Sequence, residues 1–94
     1  MNHTYALRRF AVVFDTEPDA EPATYRMQCA VCDESGPTVD AVQGDDKSTL
    51  GARIEAAREA SDWVRQHRSS NREHFTYRLI ETHPYRLAPG EWRR

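Results

Sequence analysis

Two alternating stretches and one helical repeat organise this chain. Tyr5 to Phe14 reads Tyr-Ala-Leu-Arg-Arg-Phe-Ala-Val-Val-Phe, rich in aromatic and β-branched residues, and predicts a strand. Asp15-Thr-Glu-Pro-Asp-Ala-Glu-Pro follows; its two prolines and four acids cannot continue a ladder, so it predicts a hairpin loop. Thr24-Tyr-Arg-Met-Gln-Cys-Ala then alternates, with Tyr25, Met27 and Cys29 on one side and Arg26 and Gln28 on the other. That is the pattern of a half-buried strand, and it delivers Cys29 at its end.

From Asp33 to Lys47 the chain is polar and acidic, carries Gly36, Pro37 and Gly44, and offers only a short extended piece around Thr38 to Val42. A helix is predicted to start near Ser48 as N-cap and to end around Arg68, before Ser69-Ser70-Asn71. Leu50, Ile54, Ala57, Ala60, Val64 and His67 recur at spacings of three and four and are expected to form its buried stripe, flanked by Trp63. Phe75-Thr-Tyr-Arg-Leu-Ile-Glu alternates again, placing Phe75, Tyr77 and Leu79 on one face. Thr82-His-Pro-Tyr-Arg-Leu should extend or bend that strand, since Pro84 interrupts pairing, and Ala88 onward reads as a tail pinned by Trp92. The order β-β-α-β predicts a small α+β fold: an antiparallel sheet of about three strands with one main helix packed on it.

Length then narrows the picture. Ninety-four residues leave room for one core, so residues 1–94 are expected to form a single domain, with its core at about 5–87 and a short tail at 88–94. The longest apolar run, Phe10 to Phe14, is far short of the roughly 20 residues of a membrane helix. No apolar stretch near Met1 resembles a signal peptide. Membrane proteins, secreted disulfide scaffolds, collagen-like chains and coiled coils are excluded, and a cytoplasmic protein with no membrane partner is expected.

The formal charge of −2 is unevenly spread. Residues 1–52 hold four basic groups against nine acids, whereas residues 53–94 hold nine arginines against six acids. An arginine-rich second half suits a salt-bridged surface or a local phosphate-binding patch. Arg65, Arg68, Arg72, Arg78 and Arg86, with the aromatics Tyr85 and Trp92, are the candidate contacts for a protein or nucleic-acid partner.

Two cysteines in a Cys29-x2-Cys32 pair, then His67-x6-His74, supply two thiolates and two imidazoles. Zinc takes such borderline-soft donors in a tetrahedron, and one structural Zn2+ per chain would staple strand, helix and final strand together. The 34-residue gap between Cys32 and His67 is too long for an ordinary DNA-reading finger, whose gap is roughly 12–15 residues. Other readings of the same residues stay open: buried thiols or a redox pair for the cysteines, a helix-terminal histidine for His67, and an exposed loop histidine for His74. His83 is a substitute ligand. A small zinc-dependent hydrolase or nuclease would need an open coordination position and an acid such as Glu73, the one acid adjacent to a proposed ligand. No motif of a known catalytic class is present, so the primary reading is a regulatory or interaction module.

Tyr25-Arg-Met-Gln-Cys-Ala-Val-Cys, Ala60-Ser-Asp-Trp-Val-Arg-Gln-His, Glu73-His-Phe-Thr-Tyr-Arg and Thr82-His-Pro-Tyr-Arg together resemble a family of small uncharacterised actinobacterial Cys/His, zinc-finger-like proteins, a domain of unknown function often found near mobile or regulatory genes. The resemblance spans about Phe10 to Tyr85. It implies ligand candidacy for Cys29, Cys32, His67 and His74, and it implies no activity.

Overall fold

The alternating stretches become strands and the three-four repeat becomes a helix, but the strands pair in an order that local pattern does not dictate. The computed structural model describes residues 8–42 and 49–92. The elements run β1 (Arg8–Phe14), β2 (Thr24–Cys29), β3 (Val39–Asp40), α1 (Thr49–Ser70), β4 (Tyr77–Thr82) and β5 (Tyr85–Trp92). Pro22–His83 forms one compact unit, and the segments before and after it form another.

In the larger unit the strand order is β3-β2-β4, all antiparallel. The register Tyr25↔Glu81, Met27↔Leu79, Cys29↔Tyr77 puts the inward side chains of β2 beside Tyr77 and Leu79. Thr24 and Thr82, opposed at the far end, share a hydrogen bond between their hydroxyls. The core consists of Ala23, Tyr25, Ala56 and Ala60, with Met27, Val39, Ala41 and Ala57 packed around it.

That core corrects the predicted helix stripe. Ala52, Ala56, Ala60 and His67 are the buried positions of α1, whereas Leu50 is 66% exposed and Ile54 49%. Ala60 and His67 belong to the predicted stripe and are buried, whereas in the first half of the helix Ala52 and Ala56 take the inward places expected of Leu50 and Ile54. Steric fit explains the choice. Alanines let the helix approach the sheet closely enough to cover Tyr25, and leucine or isoleucine in the same places would hold it off. The helix runs to Ser70, two residues beyond the expected end, and the proposed Ser48 cap lies outside the described residues.

In the smaller unit β1 pairs with β5, in register Phe10↔Pro89, Val12↔Leu87, Phe14↔Tyr85, with an irregularity between Arg8 and Phe10. The Asp15 N–H donates to the Pro84 carbonyl at 2.9 Å, and the Phe14 and Tyr85 rings lie 4.6 Å apart. Two expectations are corrected here. Residues 15–22 do not fold β1 back onto β2, because β2 already has β3 on one edge and β4 on the other and offers no edge to β1. Residues 88–92 are not a tail but the second half of β5, and Pro89 is tolerated because in a two-stranded ribbon every strand is an edge strand. β4 ends at Thr82, His83 and Pro84 lie between the strands, and β5 starts at Tyr85 in a different sheet. The class is α+β as read from the sequence; in place of the single sheet of about three strands expected, the described residues form five strands in two antiparallel sheets. Among the described residues no helix is long and apolar enough to cross a membrane.

Candidate metal centre

Cys29 ends β2 fully buried, and the chain then makes a tight turn. The Asp33 N–H donates to the Cys29 carbonyl and the Cys29 N–H to the Glu34 carbonyl, both at 2.8 Å. Asp33 sits in the left-handed region at φ 65°, which aspartate tolerates better than most residues. The side chain of Gln28 donates to the Asp33 carbonyl at 2.9 Å, and Arg78 reaches both Gln28 (2.7 Å) and Asp33 (3.2 Å). This turn lifts Cys32 back beside Cys29.

The histidines arrive from the other side. His67 lies on the buried face near the end of α1, 6% exposed. Asn71 closes the helix by donating its side-chain amide to the His67 carbonyl at 2.9 Å, one of the carbonyls a helix end leaves without a partner. The Asn71 carbonyl then accepts the His74 N–H at 2.9 Å, so one residue links the two histidines. The Ala30 N–H donates to the Thr76 carbonyl at 2.8 Å and ties the cysteine turn to the segment carrying His74.

The four side chains converge. Cys29 Sγ is 3.4 Å from His74 Nδ1, Cys32 Sγ is 3.5 Å from His67 Nε2, and those two nitrogens are 3.3 Å apart. All four ligand atoms lie within 4.8 Å of one another, so a single metal ion could be bound by all of them. Trp63 stacks on His67 with centroids 4.6 Å apart, and Tyr77 meets both rings edge-on at 6.0 and 6.2 Å. These aromatics fix the plane of His67 and keep water from that side of the cluster.

The two thiols are differently placed. Burial pushes the Cys29 thiol up, but the N–H groups of Cys32 and Val31 and the Cys32 thiol donate to its sulfur, and the net effect holds it below the ordinary thiol value. For Cys32 the Glu34 N–H works in the same direction. It is outweighed by burial, by the bond Cys32 donates to Cys29, and by the charges of Cys29 and Glu34, so Cys32 ends above the ordinary value. Cys29 is therefore the thiol of the pair that loses its proton first. Tyr77 is also pushed up, first by burial and then by the nearby Cys29 charge, and its hydroxyl is buried without a hydrogen-bond partner among the described residues.

A model of the family described as Domain of unknown function (DUF7848) matches residues 1–92. The chain belongs to this family. No curated protein and no solved structure matches it.

In this DUF7848 domain the residues named from sequence are dispersed unequally. Cys29, Cys32, His67 and His74 come together. His83 does not substitute for any of them; it lies beyond the far end of β4, 3.0 Å from Glu81 and edge-on to Tyr25. Glu73 is exposed, and the carboxylate that faces the cluster is Glu34, with Oε2 3.7 Å from His67 Nδ1 and 4.0 Å from Cys32 Sγ. Its position two residues after Cys32 was the available signal. Gly36, also missed, abuts Trp63 so closely that an added Cβ would lie 2.5 Å from Trp63 Cγ. Of the proposed contact arginines, Arg78 is held by Gln28 and Asp33, and Arg86 by Asp15 (3.8 Å) and Glu17 (3.4 Å). Arg68 covers the Phe75 ring at 4.5 Å, and with Arg65 and Arg72 it borders one groove along with Ser61, Val64 and Ser69. Tyr85 belongs to the β1–β5 ribbon, and the Trp92 side chain lies outside the described residues.

Proposed function

We propose that this domain is a zinc-binding module in which one structural Zn2+ per chain, held by Cys29, Cys32, His67 and His74, fixes an interaction surface, with no catalysis of its own. The observation that carries the reading is the shape of the cluster. Tetrahedral zinc with bonds of about 2.3 Å to sulfur and about 2.05 Å to nitrogen has sulfur–nitrogen edges of about 3.5 Å and a nitrogen–nitrogen edge of about 3.3 Å. The corresponding separations here are 3.4, 3.5 and 3.3 Å. Two thiolates with two imidazoles favour zinc over the harder divalent ions, and four protein ligands leave no position for a reacting water. Glu34 is placed to orient the His67 ring through its second nitrogen.

A structural role also suits the energetics. The buried apolar core is mostly alanine, each contributing little, while zinc in small finger peptides supplies about 10–16 kcal/mol of apparent binding energy. The resemblance of the Cys/His segments supports an actinobacterial source, and the composition supports a cytoplasmic one. For the partner, the groove bordered by Arg65, Arg68 and Arg72 favours an anionic surface: none of the three makes an ion pair with an acid among the described residues, and the exposed Phe75 beside Arg68 adds a stacking face. Nucleic acid or an acidic protein would meet it.

Two measurements test this. Chelation of the purified protein should abolish the cooperative thermal transition or lower it steeply, and restoring zinc should recover it; a metal-stripped chain with unchanged melting and full native NMR dispersion would refute the structural role. Binding to mixed-sequence single strands at low and high salt should weaken steeply with salt and with Arg65→Ala plus Arg72→Ala; no binding at low salt turns the search to a protein partner.

A further inference from the structure

The β1–β5 ribbon carries a face that its own two strands cannot cover. Residues directly opposed in an antiparallel pair share a face, so the register places Phe10, Val12 and Phe14 of β1 with Pro89, Leu87 and Tyr85 of β5 on one side. All six are apolar or aromatic. Phe10 is 44% exposed, Val12 69%, Phe14 53%, Tyr85 52% and Leu87 59%. The charged Arg86 stands opposite Val13, on the reverse face, where it pairs with Asp15 and Glu17.

We propose that this face is the interface of a homodimer, in which the ribbons of two chains stack face to face across a two-fold axis. Three observations select a second copy as the occupant. A two-stranded ribbon alone is marginal in water, and a second layer of strands is what normally stabilises one. The exposed apolar area, roughly 500 Å2 per chain from aromatic and aliphatic side chains of ordinary size, lies at the upper end of what monomers leave open. Doubled, it reaches the roughly 1,000 Å2 at which specific interfaces begin. The six residues named carry no charge, so these parts of two copies meet without repulsion. Its smaller side chains, Val12 and Leu87, lie between Phe10 at one end and Phe14 with Tyr85 at the other. A two-fold axis at the centre sets Val12 and Leu87 of one chain against those of the next. The inference is independent of the metal reading, because none of its residues is a ligand.

Sedimentation equilibrium of the metal-loaded full chain tests it. The wild type should sediment as twice 10.9 kDa. Val12→Asp and Val12→Lys should each raise the dimer dissociation constant by at least about 100-fold, since like charges would face each other, and a one-to-one mixture of the two should restore association. Their zinc content should match the wild type, which separates loss of the interface from loss of the metal centre. Should the charged chains fail to fold, Val12→Ala carries the test with a rise of about tenfold. A monomeric wild type at hundreds of micromolar, or folded Val12 variants that remain dimers, overturns the proposal.

Discussion

Gly36→Ala is a small substitution with a large expected effect. The added methyl would lie 2.5 Å from Trp63 Cγ, 2.7 Å from Cδ2 and 2.8 Å from Cβ, and contacts under about 3.0 Å are not sustained in real packing. The indole cannot simply swing aside, because one of the atoms met is its own Cβ, fixed to α1. Nor can the loop retreat easily, since the Gly36 N–H donates to the Met27 carbonyl at 2.9 Å. Gly36 is not at positive φ, so the cost is one of space alone. Overpacking of this kind costs about 1–3 kcal/mol. Trp63 stacks on His67, so part of that displacement should reach a ligand, and loss of an orienting contact lowers metal affinity about 10–100-fold. Urea denaturation of the zinc-loaded protein and competition against a chromophoric chelator measure the two effects. The decisive comparison is a double-mutant cycle: in a Trp63→Gly background, which removes the Cβ along with the indole, the same Gly36→Ala change should cost less than about 0.5 kcal/mol. An equal cost in both backgrounds would refute the argument.

On the helix, Ile54→Ala should cost less than about 1 kcal/mol because Ile54 is 49% exposed, whereas Ala60→Leu should cost about 1–3 kcal/mol by forcing α1 off the sheet; the reverse ranking in urea melts would contradict the buried face described. Tyr77→Phe removes a buried hydroxyl with no partner among the described residues and should be neutral or stabilising by up to about 1 kcal/mol; a loss of that size would reveal a bond to the hydroxyl. In the metal-free protein kept folded at low temperature, thiolate absorbance followed against pH should show Cys29 ionising below the ordinary thiol value and Cys32 above it, with Cys32→Ser assigning the two steps. The linked stability follows in sign. The contribution of Cys29, whose pKa is depressed, is present above its unfolded-state value and lost as pH falls through the folded one; that of Cys32, whose pKa is raised, is present below its unfolded-state value and lost as pH rises through the folded one. A single shared titration at the ordinary value would contradict the pairing.

The cluster was legible as a candidate because the chemistry of Cys29, Cys32, His67 and His74 is carried by residue type, and the fold does bring the four together. The side-chain alternation in β2 was legible for the same reason: Tyr25, Met27 and Cys29 keep period two whatever strand lies beside them. Partnering was not. Nothing between Phe14 and Thr24 says that β1 must wait for β5, because that pairing depends on β2 having both edges taken. The face of α1 was misread for a related reason. Hydrophobic size pointed to Leu50 and Ile54, while the distance between helix and sheet selected Ala52 and Ala56; Ala60 and His67 lie where the repeat put them. Gly36 and Glu34 act through neighbours distant in sequence, Trp63 and His67, and only the folded chain brings them there.

The central claim rests on one ion bound by four side chains. Elemental analysis of protein purified without added metal or a polyhistidine tag, run beside His67→Ala and His74→Ala, tests it most directly. The account predicts one zinc per chain in the wild type and its loss or weakening in both variants. A wild type that is well folded and contains no metal would contradict it.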